Sequence, residues 1–379
     1  MTPLFKLVLE TLGIEIRSID ETTLVVHGGR ARLRAPARPL FIGNSGTSVR
    51  FLAALAALVP GDVTLEGDEA MARRPIADLV DGLRQLGVRV DCPTGCPPLT
   101  VHGGALPGGV ARMRGDRSSQ YFSALMLAGG CAAGAITVEI DGRLVSRPYV
   151  EITRRMVADF GGRVDAAASS FVIHPASYRA RRYAIEPDAS SASYPFAIAA
   201  ATGGAIAVPD LMAGALQGDY AFTDVLAQAG ARVVRGAHDT RVEGTGAIAG
   251  VDVDMHDISD TVMTLAAIAP LASGPTRIRN IANIRIKETD RLAAIAAELE
   301  KLGQHVTQGD DFIVIEPRPI RPALVHCYND HRIAMSFAVL GLAAGGVQID
   351  DPACVAKTYP TFWDDVRKCY ESVGQKAGW

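Results

Sequence analysis

Basic side chains gather beside polar helix starts in this sequence, a pattern suited to holding anions. In "NIRIKETDRL", Lys287 and Arg291 flank Glu288, and in "NDHR" Arg332 follows His331. Lys357 stands in "AKTYP", Arg74 and Arg147 each precede a proline, and Arg50 lies inside "GNSGTSVRFLAALAAL". A second set is neutral: Ser118, Ser119 and Gln120 open "SSQYFSALMLAGG". Free backbone N–H groups and the dipole at a helix start favour negative charge, and guanidinium groups suit carboxylate and phosphate alike. Lys287 and Arg291, one turn apart, are predicted to share a helix face and grip a single anion. The competing reading is a surface ion-pair helix with Glu288 and Asp290 as the partners. For the serine-rich starts it is plain N-capping.

His27, His102 and His174 recur at one repeat position after a strand, which an inherited turn preference explains without a metal. His331 differs, because it stands at a helix start between Asp330 and Arg332. Neither G-x-x-x-x-G-K-[ST] nor a G-x-G-x-x-G after a strand occurs, so nucleotide-binding folds have no support.

A repeat must position these residues. Five segments share a polar cluster, an Ala-rich apolar helix and a closing Gly: "GNSGTSVRFLAALAAL", "DRSSQYFSALMLAGG", "DASSASYPFAIAAATGG", "DISDTVMTLAAIAPLASG" and "NDHRIAMSFAVLGLAAGG". Six others are amphipathic, from "TPLFKLVLETLG" through "RPIADLVDGLRQLG" and "KETDRLAAIAAELEKLG" to "FWDDVRKCYESVG". They close on Gly13, Gly87, Gly161, Gly230, Gly303 and Gly374, as helix ends in the left-handed conformation prefer. Both series repeat every ~70 residues, longer than the usual solenoid period, so a few large α/β modules around shared buried helices are expected. With six amphipathic helices but five buried ones, the chain is expected to begin part-way through its first repeat.

The 379 residues correspond to roughly two or three domains. Apolar residues make up 48% and charged residues 21%, as in an ordinary globular protein, and the net charge of −3 lacks the basic surplus of a nucleic-acid binder. No apolar run reaches the ~18 residues of a membrane span, and no signal-peptide layout opens the chain, so a cytoplasmic protein is expected. The six cysteines lack a zinc spacing and are read as reduced thiols.

Eight collinear motifs, "GNSGTSVRFLAAL", "RRPIADLVDGLRQLG", "SSQYFSALMLA", "LVSRPYVEIT", "DASSASY", "NIRIKETDRLAAIAAELEKLG", "NDHRIAMSFA" and "KTYPTFW", closely resemble 5-enolpyruvylshikimate-3-phosphate synthases. The resemblance implies an α/β (α+β) enolpyruvyl transferase-like fold: two similar domains, residues 1–185 and 186–379, built of repeated βαβαββ units with buried helices and closing on a cleft. It implies transfer of the carboxyvinyl group of phosphoenolpyruvate to the 5-hydroxyl of shikimate 3-phosphate, with release of phosphate and no metal or cofactor. By the same resemblance Ser118, Ser119, Gln120 and Ser146 hold shikimate phosphate, supported by Asn283 and Lys287. Arg74, Arg291, Arg332 and Lys357 clamp phosphoenolpyruvate, with Gly46 keeping room for it beside Asn44. Asp260 handles protons near the hydroxyl and Glu288 near the methylene, with His331 orienting the site. The family also implies a monomer, no nucleic-acid or membrane partner, and a glyphosate target.

UDP-N-acetylglucosamine enolpyruvyl transferases are the nearest rival, but their loop Cys has no counterpart in residues 62–91. RNA-terminal-phosphate cyclases share the architecture, and the motifs and charge disfavour them. One departure stands at the front. A family segment resembling "GDKSISHRALLLAAL" is absent, with its Lys, Ser and Arg. Loss of those donors is expected to lower turnover strongly and to open the first domain to association. A clipped or misassigned chain, a reorganised site, and a paralogue that binds phosphorylated ligands or a partner without turnover are the competing explanations. The retained Asp260, Glu288, Lys287, Arg291 and Arg332 argue against a pure scaffold, which needs none of them.

Overall fold

A computed structural model describes residues 3–372. Its helices alternate strictly between the two predicted kinds. The amphipathic series is α1 (Pro3–Thr11), α3 (Ala77–Gln85), α5 (Arg147–Asp159), α7 (Phe222–Gln228), α9 (Arg291–Lys301) and α11 (Phe362–Ser372). The buried series is α2 (Gly46–Ala56), α4 (Ser119–Gly129), α6 (Ala189–Thr202), α8 (Val262–Ile268) and α10 (His331–Ala344). Of the predicted closing glycines, Gly13, Gly87, Gly161, Gly230 and Gly303 have φ between 85 and 102°, where a Cβ would be strained. Gly374 lies outside the described residues.

The chain divides into two compact units, Met1–Tyr183 and Ala184–Trp379. In the first, strands Leu40–Phe41, Asp62–Glu66, Leu99–His102 and Arg89–Asp91 lie side by side in that order. Gly109–Arg114, Ile136–Asp141, Ser170–His174 and Arg163–Ala166 repeat the arrangement. Each sheet opens with a parallel pair, Leu40↔Leu65 and Ala111↔Val138, because a helix crossover joins its first two strands. The last two strands pair antiparallel. That is the βαβαββ unit, and α2 packs on α4 beneath the sheets.

In the second unit, Asp252–Asp254, Thr276–Arg279, Ile313–Glu316 and His305–Gln308 form the third complete copy among the described residues. Partial copies surround α6 and α10, and α10 packs against both α6 and α8. Alanine lets these helices approach closely: Ala266, Ala267, Ala334 and Ala338 of α8 and α10 are all buried.

The expected helix in "DISDTVMTLAAIAPLASG" is broken into three pieces. A 3₁₀ stretch, His256–Thr261, precedes α8, and another, Ala269–Leu271, follows it. Ile258 has non-helical angles in the first, and Pro270 offers no N–H to continue the ladder in the second. No helix among the described residues is long and apolar enough to cross a membrane. All six cysteines are free thiols.

Candidate active site

Each unit carries its own polar cluster. In the first, Ser118 caps α4, its Oγ accepting from the Gln120 N–H at 3.3 Å, so the capping reading holds here. Ser119 is buried beside it. The Gln120 side chain is fixed at both ends: its Oε1 accepts from Arg50 at 2.6 Å, and its Nε2 donates to Thr47 Oγ1 at 2.9 Å. Arg50, buried on α2, also lies 5.3 Å above the Tyr121 ring. Tyr121 in turn donates to the carbonyl of Pro75 at 2.8 Å, next to Arg74.

Arg74 is buried and donates to Asn44 Oδ1 at 3.2 Å. Gly46 keeps space for that guanidinium, since a Cβ on Gly46 would stand 2.8 Å from its Cζ. Ser146 precedes α5 with φ 49° and ψ 44°, buried, and its side chain does not cap the helix. A left-handed serine costs about 1–2 kcal/mol, and such residues concentrate at functional sites.

The second cluster is an ion-pair hub. Arg291 opens α9 with its side chain only 2% exposed, and its fork reaches three carboxylates. It donates to Asp330 through Nε at 2.8 Å and Nη2 at 3.2 Å, to Glu288 at 2.9 Å, and to Asp260 at 3.4 Å. Arg332 joins Asp260 at 3.1 Å and Lys357 joins Glu288 at 2.9 Å. Lys287 Nζ stands 3.6 Å from Asp260. Four cations thus meet three carboxylates.

Burial alone would raise the Asp260 pKa, but Arg332, Lys287 and Arg291 outweigh it and hold the carboxyl well below its usual range. Burial works against the charge of Arg291, yet Asp330, Glu288 and Asp260 hold its proton more firmly than normal. Tyr194 of α6 is pushed up to about 12 by burial, with the neighbouring Arg332 opposing the rise. Asn283 donates to Ser259 Oγ at 2.9 Å, while its buried Oδ1 has no hydrogen-bond partner among the described residues.

One expectation is corrected. Lys287 and Arg291 do not share a helix face, because Lys287 ends the 3₁₀ stretch Ala282–Ile286 and Asp290 caps a helix that begins only at Arg291. They meet at Asp260 instead. The ion-pair reading holds for Glu288, which pairs with Arg291, but the pair is not on the surface, because Arg291 is buried, and Asp290 pairs instead with Arg285 at 2.8 Å.

Sequence reasoning missed one residue here and one link. Asp330, with a fully buried side chain, caps α10 by accepting from Arg332 N–H at 2.9 Å while holding Arg291. Before "HRIAMSF" it reads as a cap alone. Arg50 was visible as a cation, but nothing in the sequence links it to Gln120.

His331 is buried, and its Nδ1, 3.9 Å from Asp330 Oδ1, has no hydrogen-bond partner among the described residues. Burial, then Arg332, lowers its pKa from 6.5 to about 3, so the ring is neutral at pH 7. Between those values the unfolded chain binds the proton and the folded chain does not, so stability falls as pH falls. Replacing His331 by Gln is expected to remove about 1 kcal/mol of the loss between pH 6 and pH 5, read from urea denaturation at each pH. Parallel curves for the two proteins would contradict it.

A family model described as EPSP synthase (3-phosphoshikimate 1-carboxyvinyltransferase) matches residues 3–366. The chain belongs to the EPSP synthase family. It is 43% identical over 360 residues to 3-phosphoshikimate 1-carboxyvinyltransferase of Nostoc sp., covering 94% of this chain and 85% of that relative. The enzyme of the same name from Histophilus somni is 43% identical over 373 residues, covering 95% and 86%. Among solved structures, EPSP synthase from Acinetobacter baumannii superposes with a TM-score of 0.78 at 26% identity, covering 96% of this chain and 86% of that one. The enolpyruvyl transferase NikO from Streptomyces tendae, at 19% identity and TM-score 0.71, shares the fold, covering 96% and 85%.

Proposed function

We propose that this chain transfers the enolpyruvyl group of phosphoenolpyruvate to the 5-hydroxyl of shikimate 3-phosphate and releases phosphate, a step of aromatic amino acid biosynthesis. Family membership supports the reaction. The observation that carries the mechanism is the convergence of Arg291, Arg332, Lys287 and Lys357 on Asp260 and Glu288. Each substrate brings a phosphate and a carboxylate, which repel strongly unless cations stand among them.

In the protein alone, Asp260 and Glu288 are the counter-ions of those cations. Arg332 and Lys357, with Arg291 and Arg74, are the clamp for phosphoenolpyruvate. As they turn toward its anionic groups, the two carboxylates lose part of their positive surroundings and their affinity for protons rises. Binding thereby creates the proton carriers. Glu288 delivers a proton to the methylene as the hydroxyl oxygen adds to the adjacent carbon, with Asp260 accepting the hydroxyl proton. Phosphate then leaves as the methyl group formed gives a proton back.

Ser118, Ser119, Gln120 and Ser146 of the first unit, with Asn283 and Lys287, hold shikimate 3-phosphate. Residues 1–185 and 186–379 therefore act as two domains serving one reaction. Neutral His331 orients the second cluster, and the buried Asn283 Oδ1 and His331 Nδ1, without a hydrogen-bond partner among the described residues, are satisfied when substrate is held.

The test is phosphate release with both substrates. One phosphate per enol ether formed, dependent on both, is the expected outcome. A folded chain that releases none, or releases phosphate without shikimate 3-phosphate, would overturn the reading.

A further inference from the structure

Glu298 has no part in the chemistry above, yet its side chain is fully buried in α9. It lies two turns after Arg291, on the same helix face. Its Oε1 accepts from the Tyr328 hydroxyl at 2.7 Å and its Oε2 from the His326 N–H at 3.0 Å. Lys301 Nζ reaches both oxygens at 2.8 Å from the solvent side. Burial, then the bond to Glu298, pushes the Tyr328 hydroxyl up to about 12, so it stays a donor.

The segment Glu298 holds is the turn before Asp330. Tyr328 and Asn329 are consecutive left-handed residues, with φ 54 and 52°. Neither is glycine, so the surroundings must impose that conformation. Asp330 N–H then donates to Cys327 O at 2.8 Å, closing the turn at the first residue of the hub. From its other side, Asp350 accepts the Cys327 N–H at 2.9 Å and pairs with His326. One helix face therefore grips one short turn twice: Arg291 at Asp330, and Glu298 at His326 and Tyr328.

We propose that Glu298 is a positioning residue: by clamping the left-handed Tyr328–Asn329 turn from beneath, it fixes where α10 begins and so where Arg332 meets its anionic substrate. The effect on catalysis rests on Arg332 serving phosphoenolpyruvate, as read above. The effect on the turn does not.

Two measurements on the full chain separate those claims. In Glu298→Gln, the Asp330 and Arg332 amides are expected to exchange hydrogen at least ~10-fold faster, while the amides in the middle of α9 stay unchanged. In turnover, the KM for phosphoenolpyruvate is expected to rise ~10-fold, with the Kd of shikimate 3-phosphate within about twofold of the parent. Tyr328→Phe, which removes one contact and no charge, shifts both readouts the same way by less, and it serves if Glu298→Gln does not fold. Unchanged exchange at Asp330 and Arg332 in a folded variant overturns the proposal. So does a drop in Tm with both substrate affinities intact, which is what a purely structural glutamate gives. If exchange accelerates while the parent chain itself shows no turnover, the clamp stands and the functional reading fails.

Discussion

Arg291→Met is expected to remove about 3–5 kcal/mol of stability from the second unit. Its guanidinium is the cation shared by Asp330, Glu288 and Asp260, and the Asp330 side chain has no exposure to water. Without it, the buried Asp330 carboxylate keeps, among the described residues, the Arg332 N–H as its hydrogen-bond donor, and the tie between the start of α9 and the cap of α10 is cut. Methionine replaces the volume and none of the charge. Arg291→Lys is expected to fall between the two, because one ammonium cannot reproduce a fork that reaches three carboxylates. Urea denaturation monitored by tryptophan fluorescence gives the difference. A loss under about 1 kcal/mol for Arg291→Met would place this hub among exposed ion pairs in energy.

Glu288→Gln is expected to lower turnover by about 10²–10⁴-fold, the usual worth of a placed acid or base. The amide keeps the size of the carboxylate, and its oxygen still accepts from Lys357 or Arg291, so the fold and the KM values should move little. A matching drop in kcat and kcat/KM is the signature of an interaction made in the transition state. Steady-state phosphate release at saturating concentrations of both substrates measures it. Asp260→Asn is less clean, because Asp260 also anchors Arg332, Arg291 and Lys287.

The alternation of buried and amphipathic helices was legible because it is periodic: apolar residues recur at helical spacing, and a left-handed glycine closes each of the first five amphipathic helices. The helix starts were legible as well, and Ser118 and Asp330 do cap. What one turn of sequence spacing could not show was the kink at Lys287. The threonine-aspartate pair before "RLAA" was the available sign, since aspartate is a strong N-cap and here accepts from Ala293 N–H at 3.0 Å. Glu298 was beyond reach for a different reason. In "AAELEKLG" it looks like one more solvated charge, and only the packing of α9 under residues 326–330 removes it from water.

The central claim is that the carboxylates of the second cluster serve as counter-ions until substrate anions take their cations. Carbon-13 NMR of labelled aspartate side chains tests it in the Glu288→Gln chain, which should hold both substrates while consuming them slowly, with Asp260→Asn giving the assignment. Asp260 is expected to titrate below the ordinary carboxylate range in the protein alone and to move upward with phosphoenolpyruvate and shikimate 3-phosphate bound. A titration midpoint that does not change on binding, or one already ordinary without substrate, would contradict it.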